Sequence, residues 1–356
     1  MANIKMLEEI SQVNGISGHE KKATRVMKKY IEAAVDEIQY DNLGSIIGIK
    51  KGQGPLKVLL TGHIDEIGFV VKDIDDHGMI KVLPVGGWMG QNLPSSLMTI
   101  TTREEKEIPG VFGSESPHGK SAEERKKVTD PKDSFIDVGV STKEEAKKLG
   151  IRIGDPITPV SEFTFMGNPK NIMSKAWDDR IGAAVVVGVL NKLKGKAIYP
   201  TVYGAGTVQE EVGLRGARTV GQMVQPDIAL AIDVTFSQDI PGGSGDTKLG
   251  SGVALSVMDG SVIAHTGLFK TIENLAKTHH IPYTMDMLAA GGTDSGELSK
   301  VCAGVMNMTI SLPSRYMHSH RTIINTDDYD NAVDLISAFL EALDEELYNQ
   351  MIEDKR

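Results

Sequence analysis

The residues of this chain best suited to chemistry stand directly after stretches that read as buried strands. The apolar run 57–62 ends at His63-Ile64-Asp65-Glu66, and the run 228–232 ends at Asp233. Residues 203–209 lead into Glu210-Glu211, and residues 305–310 lead to Arg315-Tyr316-Met317-His318. A further acidic pair, Asp178-Asp179, opens an apolar helical run. In open α/β sheets ligands gather at the carboxyl ends of the strands, so residues remote in sequence can converge there. Two imidazoles and several carboxylates converging on one place suit one or two Zn²⁺-like ions. On this pattern the chain reads as a metalloenzyme.

Each position also has a plainer reading. Asp65 lies two residues beyond His63, on the same side of an extended segment, where its carboxylate can fix the tautomer of a ligating imidazole. Alternatively, both side chains meet solvent at a strand end. Asp178-Asp179 can supply an ordinary helix N-cap, or a carboxylate shared by two ions ~3.5–4 Å apart. Adjacent acids such as Glu210-Glu211 are disfavoured in an apolar setting unless a cation or proton compensates them. One of the two can ligate while its neighbour acts as general base to a held water. Spacing does not decide which. Asp233 closes a run that reads as a central strand buried on both faces. Of His318 and His320, the second reads as an exposed loop residue. Cys302, the only cysteine, lies in an apolar stretch and reads as an inert core thiol. The segment Gly291-Gly292-Thr293-Asp294-Ser295-Gly296 lacks the lysine of a phosphate loop, and no Gly-x-Ser-x-Gly elbow marks a catalytic serine.

Such residues need an α/β layer to hold them. Two amphipathic helices are expected, over about residues 3–13 and from near His19-Glu20 to before Tyr40. Strands follow at 46–49 and 58–60. From about residue 69 the texture changes to short β-rich pieces separated by polar turns. A single short helix, with the capping-box start Ser141-Thr142-Lys143-Glu144, interrupts them. This texture predicts a small β-barrel or sandwich. After Phe165 strands again alternate with helices, over 180–194, 267–279 and 326–353, which points back to an α/β layer. The simplest organisation is one α/β domain, residues 1–68 and 165–356, interrupted by a β domain at 69–164.

Composition narrows the partners. At 356 residues the chain can hold two domains or one core with a large insertion. A formal net charge of -10 argues against nucleic acid, whose phosphates need a basic footprint. One cysteine excludes both an internal disulfide and a cysteine-based zinc site. Acids within residues 1–9 are unlike a signal peptide, and no apolar run approaches the ~20 residues of a membrane span. A cytoplasmic location, with no membrane contact, is expected.

Taken together, the motifs resemble those of a known family. The segments are His63-Ile64-Asp65-Glu66-Ile67-Gly68, Lys175-Ala176-Trp177-Asp178-Asp179-Arg180, Val208-Gln209-Glu210-Glu211-Val212-Gly213-Leu214-Arg215-Gly216-Ala217, Ala231-Ile232-Asp233, Gly291-Gly292-Thr293-Asp294-Ser295-Gly296 and Arg315-Tyr316-Met317-His318-Ser319-His320. In this order, from about residue 6 to 345, they resemble the M42 family of metalloaminopeptidases. That family includes glutamyl, leucyl and deblocking aminopeptidases and the tetrahedral (TET) peptidases.

The resemblance implies an aminopeptidase (a hydrolase of EC 3.4.11 type) acting on peptides with a free N-terminus. It implies two divalent ions per subunit, Zn²⁺ or Co²⁺ first and Mn²⁺ also acceptable. By it His63, Asp178 and Asp233 hold one ion and Asp178, Glu211 and His318 the other. Asp178 is then shared, Glu210 is the base, and Asp65 orients His63. Asp179 stands where the family often has Asn, and it is not a ligand. The implied fold is a mixed-sheet α/β/α metallopeptidase domain with an inserted PDZ-like small β-barrel domain that mediates dimerisation. Dimers of many members assemble further into tetrahedral dodecamers. A related dinuclear hydrolase of N-acyl amino acids, or one of carboxypeptidase type, is the alternative, since the same ligands would serve it. No residue pattern places a cationic pocket for an acidic first residue, so side-chain preference is open.

Overall fold

Four parallel strands form the middle of an eight-stranded mixed sheet, in the order Thr201–Thr207, Lys57–His63, Ile228–Phe236 and Met306–Ser314. The computed structural model describes residues 2–119 and 121–355. Ile46–Lys50 and then Glu37–Tyr40 extend the sheet antiparallel on one side. Val253–Met258, antiparallel to Met306–Ser314, and then Tyr283–Met287 complete the other side. Both faces of the central strands are covered, so 228–232 are continuously apolar, and Asn307, Thr309 and Ser311 are buried although they alternate with apolar residues along 306–312.

Alternation along the His63 strand divides two cores. Val58 and Leu60 pack with Met27, Ile181, Val186 and Phe339 on one face, whereas Leu59 packs with Ala217, Val220 and Leu298 on the other. The first face carries the helices Ile4–Gln12, Lys21–Ile31, Trp177–Lys192, Thr266–Thr278 and Thr326–Ala342. The second carries Arg215–Val224 and the short helix Asp294–Leu298. Trp177–Lys192 is apolar almost all round, and such a helix must be covered on every side. It lies between the sheet and Thr326–Ala342. At its start it meets the sheet backbone to backbone: a Cβ on Gly62 would lie 2.3 Å from the Ala183 nitrogen. Only glycine allows that approach, one residue before His63.

A separate closed barrel follows the order Gly68–Ile74, Ile80–Val85, Phe135–Asp137, Glu107–Phe112, Leu97–Thr101 and Pro156–Pro159. It has its own core, including Phe69, Val82, Met98, Ile100, Phe112, Ile136 and Ile157. The helix Lys143–Lys148 starts one residue later than the Ser141–Glu144 capping box would place it. Thr142 accepts from the Glu145 N–H, while Glu145 reaches back to the N–H of Ser141.

Three expectations change. The second helix ends at Ile31 rather than just before Tyr40, because Glu37–Tyr40 joins the sheet as a strand. Residues 326–353 form two helices, Thr326–Ala342 and Glu345–Glu353, broken at Leu343 because Asp344 caps the second through the Leu347 N–H at 2.8 Å. Cys302 is exposed and left-handed (φ 55) in the turn after the Asp294–Leu298 helix, and its neighbour Val301 takes the core position instead.

Candidate metal centre

Strand register brings the candidate residues to one edge of the sheet. Thr207 pairs with His63 and Ala231 with Thr61, so Asp233 stands level with His63. Asp233 lies within its strand, which runs on to Phe236, but beyond Thr207 and Ser314 the chain turns sharply. Gln209, Tyr316 and His318 take left-handed backbone conformations (φ 57, 63 and 54), as does Ala176 (φ 56) before Trp177. Such conformations cost of order 1–3 kcal/mol in non-glycine residues and gather at functional sites. Glu210 and Glu211 thus lie in a turn, not on opposite faces of a strand.

Asp178 sits between the two histidines. Its Oδ1 is 3.2 Å from His63 Nε2 and its Oδ2 is 3.4 Å from His318 Nε2. The other ring nitrogens face carbonyl oxygens, which can only accept. His63 Nδ1 donates to the Asp65 carbonyl at 3.0 Å, and His318 Nδ1 donates to the Gly87 carbonyl at 2.9 Å. Nε2 is therefore the nitrogen that each ring turns toward Asp178. Glu210 Oε2 lies 3.9 Å from His63 Nε2. Donor atoms of His63, Asp178 and Glu211 fall within 4.8 Å of one another, and so do those of His63, Glu210 and Asp233. All seven residues named from the sequence come together here. The tight groupings cut across the two ligand sets that the resemblance implies, since Glu211 falls beside His63.

Asp65 is fully buried, and its carboxylate lies 3.6 Å from His63 Nδ1. It accepts the backbone N–H of Glu210 on Oδ1 and of Glu211 on Oδ2, each at 3.1 Å, and the Ser17 hydroxyl at 2.6 Å. The carboxylate thus pins the two-glutamate turn, while the carbonyl of the same residue fixes the imidazole. The acidic pair at 178–179 divides its two readings. Asp179 is the cap, accepting the Gly182 N–H at 3.0 Å and the His63 N–H at 3.1 Å. The peptide joining the pair is cis.

Sequence reasoning passed over two further features. Asp294, in the glycine-rich segment, is buried beneath the site and accepts the Thr207 hydroxyl at 2.6 Å, beside the His63 strand. Only its position in an otherwise unexplained motif hinted at this. Below the centre, Glu66 receives Lys175 Nζ at 2.6 and 2.9 Å and the Gly15 N–H at 3.0 Å. The fully buried Arg180 caps the carbonyls of Ile10, Val13 and Gly15. These buried charges fasten the N-terminal segment, with Ser17, under Asp65.

The electrostatics call for positive charge. Burial, and then neighbouring carboxylates, push Glu211 and Asp233 well above the usual acid range; Glu210 is raised by burial and by Asp233, against the pull of His63. His63 would be depressed by its own burial, but Glu210, Asp178 and Asp65 outweigh that and raise it. Glu211 Oε1 is buried without a hydrogen-bond partner among the described residues. Orphaned buried oxygens are rare. Carboxylates crowded this closely around two imidazole rings are a donor set that divalent cations fit.

A mixed α/β sheet beside a separate six-stranded barrel, with imidazoles and carboxylates gathered near the strand ends, is an arrangement suited to a metal-dependent hydrolase. The chain belongs to the M42 peptidase family: the M42 glutamyl aminopeptidase family matches residues 44–335. It is an aminopeptidase-class hydrolase by that membership. A TET aminopeptidase from the archaeon Thaumarchaeota archaeon SCGC AB-539-E09 is 36% identical and superposes with a TM-score of 0.95, over 98% of this chain and 99% of that one. The glutamyl aminopeptidase of Lactococcus lactis subsp. cremoris is 33% identical over 350 residues, covering 96% of each chain. The TET1 peptidase of Pyrococcus horikoshii, which assembles into a tetrahedron or a large octahedral shell, is 30% identical with a TM-score of 0.87, over 96% of this chain and 100% of that one. Among the described residues no helix is long and apolar enough to cross a membrane.

Proposed function

We propose that this chain removes N-terminal residues from peptides with the help of two divalent ions held by His63, Asp178, Glu211, Asp233 and His318. The observation that carries the reading is the Asp178 carboxylate, whose two oxygens face two different imidazoles. Asp178 would be the shared ligand; following the family resemblance, His63 and Asp233 would help hold one ion and Glu211 and His318 the other. Zn²⁺ or Co²⁺ suits these ligands first, and Mn²⁺ is also compatible. When bound, a pair of such ions polarises a carbonyl and makes water a competent nucleophile at neutral pH.

The chain's own groups supply the remaining steps. Glu210 lies next to the ligands but is not needed as one, which leaves its carboxylate to take a proton from the attacking water and return it to the leaving amine. Asp65 holds the Glu210 and Glu211 backbone in register for this. Surplus carboxylate charge also favours the α-ammonium of a substrate with a free N-terminus. An acylated amino acid brings no such charge, which ranks N-acyl hydrolysis second.

A glutamyl preference and a shell assembly, like those of these relatives, are proposed for this chain as well. We infer self-association through dimers toward a tetrahedral dodecamer. The barrel region at 69–164 would be the contact domain, and residues 1–68 with 165–356 the catalytic one. The location of its work would be cytoplasmic. Metal-stripped protein, restored with each ion in turn, is to be assayed on Glu-, Asp-, Leu- and Lys-anilides beside N-acyl amino acids. Anilide hydrolysis that returns with metal supports the reading. Preferred cleavage of the N-acyl substrates would replace it with the deacylase alternative.

A further inference from the structure

A second cleft, of about 970 Å³, opens between the helix Lys21–Ile31 and the barrel, and none of the candidate ligands lines it. That volume is the size of a small-molecule site. Five lysine and arginine side chains line it against three carboxylates, in a chain whose net charge is -10. Two of those carboxylates are already engaged by backbone donors. Glu20 accepts the N–H groups of Gly18 and Gln209 at 2.7 and 3.1 Å, and Asp155 accepts that of Arg152 at 2.8 Å.

Lys21, Arg25 and Lys28 recur at i, i+4 and i+7, so they share one face of the helix. None of the three makes an ion pair or side-chain hydrogen bond with a described residue, unlike Lys29 in the same helix, which is paired with Glu9. The placement is locally unfavourable. Lys21 and Arg25 are like charges one turn apart, and Lys21 and Lys22 stand in a first turn that contains no acid. A bound anion would offset both penalties. At the rim Tyr40 and Leu43 are 46% and 39% exposed, an apolar edge beside the cations.

We propose that this cleft binds a small phosphomonoester carrying an apolar or aromatic body. The phosphate lies among Lys21, Arg25 and Lys28, and the body lies against Tyr40 and Leu43. A dianion with three acceptor oxygens matches several separate cations better than a single carboxylate does. The cleft is also joined to the metal centre. Glu20, which lines it, holds the N–H of Gln209, the residue before Glu210. Glu20 thus links the wall of the cleft by one hydrogen bond to the turn that carries the proposed base.

The test is calorimetric titration of the full chain with phenyl phosphate, with inorganic phosphate and triglutamate in parallel. A metal-stripped sample runs beside it, to separate this cleft from the metal centre. Phenyl phosphate should bind saturably with or without metal. Arg25→Ala with Lys28→Ala should weaken it roughly tenfold or more, the scale of two lost charge-assisted contacts, while anilide hydrolysis without ligand persists. Tyr40→Ala should weaken phenyl phosphate and spare inorganic phosphate, and it serves as the readout if the double variant unfolds. No saturable binding, loss of binding on metal removal, or unchanged affinity in the variants would each overturn the proposal. So would tighter binding of triglutamate, which would assign the cleft to acidic peptide instead.

Discussion

His318 donates its Nδ1 proton to the carbonyl of Gly87, 2.9 Å away, and so joins the metal centre to the end of the barrel. Gly87 follows the barrel strand Ile80–Val85, whereas His318 follows a central strand of the sheet. The imidazole is thus aimed by a backbone atom from a different layer of the molecule. A Cβ on Gly87 would stand 3.1 Å from that same ring nitrogen.

Gly86 makes the dependence testable. Its φ is +76, and a Cβ there would lie 2.5 Å from Ile67 Cγ2 and 2.9 Å from Glu211 Oε2. Gly86→Ala therefore adds backbone strain of about 1–3 kcal/mol and presses on a proposed ligand. Activity should fall roughly 10–100-fold, with weaker metal retention, the scale seen when groups around ligands are disturbed. Metal titration followed by anilide kinetics checks it; unchanged affinity and rate would remove the barrel end from the site.

Glu210→Gln keeps the size and hydrogen bonding of the side chain but not its basicity. Metal content should match the parent protein while kcat falls by about 10²–10⁴. Elemental analysis with steady-state kinetics reads both. Full activity would dismiss Glu210 as the base.

Asp65→Asn leaves one oxygen to serve the acceptances that two now share, from Glu210, Glu211 and Ser17. An amide N–H₂ would then face a backbone N–H. Activity should drop roughly 10–100-fold, and Ser17→Ala, which removes only the hydroxyl donor, should cost less. The ranking of the two variants is the readout, and the reverse order would refute the assigned role.

Asp328 gives a pH signature away from the metal centre. Burial pushes it up to about 7, although its oxygens accept the N–H groups of Gly250 and Gly252 at 2.8 and 2.7 Å. In the unfolded chain it releases its proton near pH 4. Between those values the folded state binds the extra proton, so stability falls as pH rises from about 4 to about 7 and is flat outside that window. The contribution reaches up to about 4 kcal/mol at about 1.4 kcal/mol per pKa unit. Chemical denaturation across this range should show the slope, and Asp328→Asn should flatten it.

Much of this was legible in the sequence because parallel strands give long apolar runs with abrupt polar ends. His63, Asp233 and the Glu210 pair all follow that rule. The choice between Asp178 and Asp179 was not legible, since adjacent acids at a helix start have the same composition whether they cap or reach a neighbour. Backbone direction alone separates them, and Asp179 is the one that caps. The edge strand Tyr283–Met287 left little trace, because its burial alternates weakly and Met285 and Met287 are exposed. Asp294 was hidden because its partner, Thr207, is remote in the chain and carries no charge of its own.

The pairing of Thr207 with His63, and of Ala231 with Thr61, has a consequence for how this architecture can vary. Side chains on a strand alternate sides at every step. Deleting one residue from 58–62 would turn the imidazole to the opposite surface of the layer, whereas deleting two would restore its side but withdraw it by about 6.6 Å. Spacing can therefore change only in coarse jumps, and lineages built on this scaffold must diversify through the connecting turns instead.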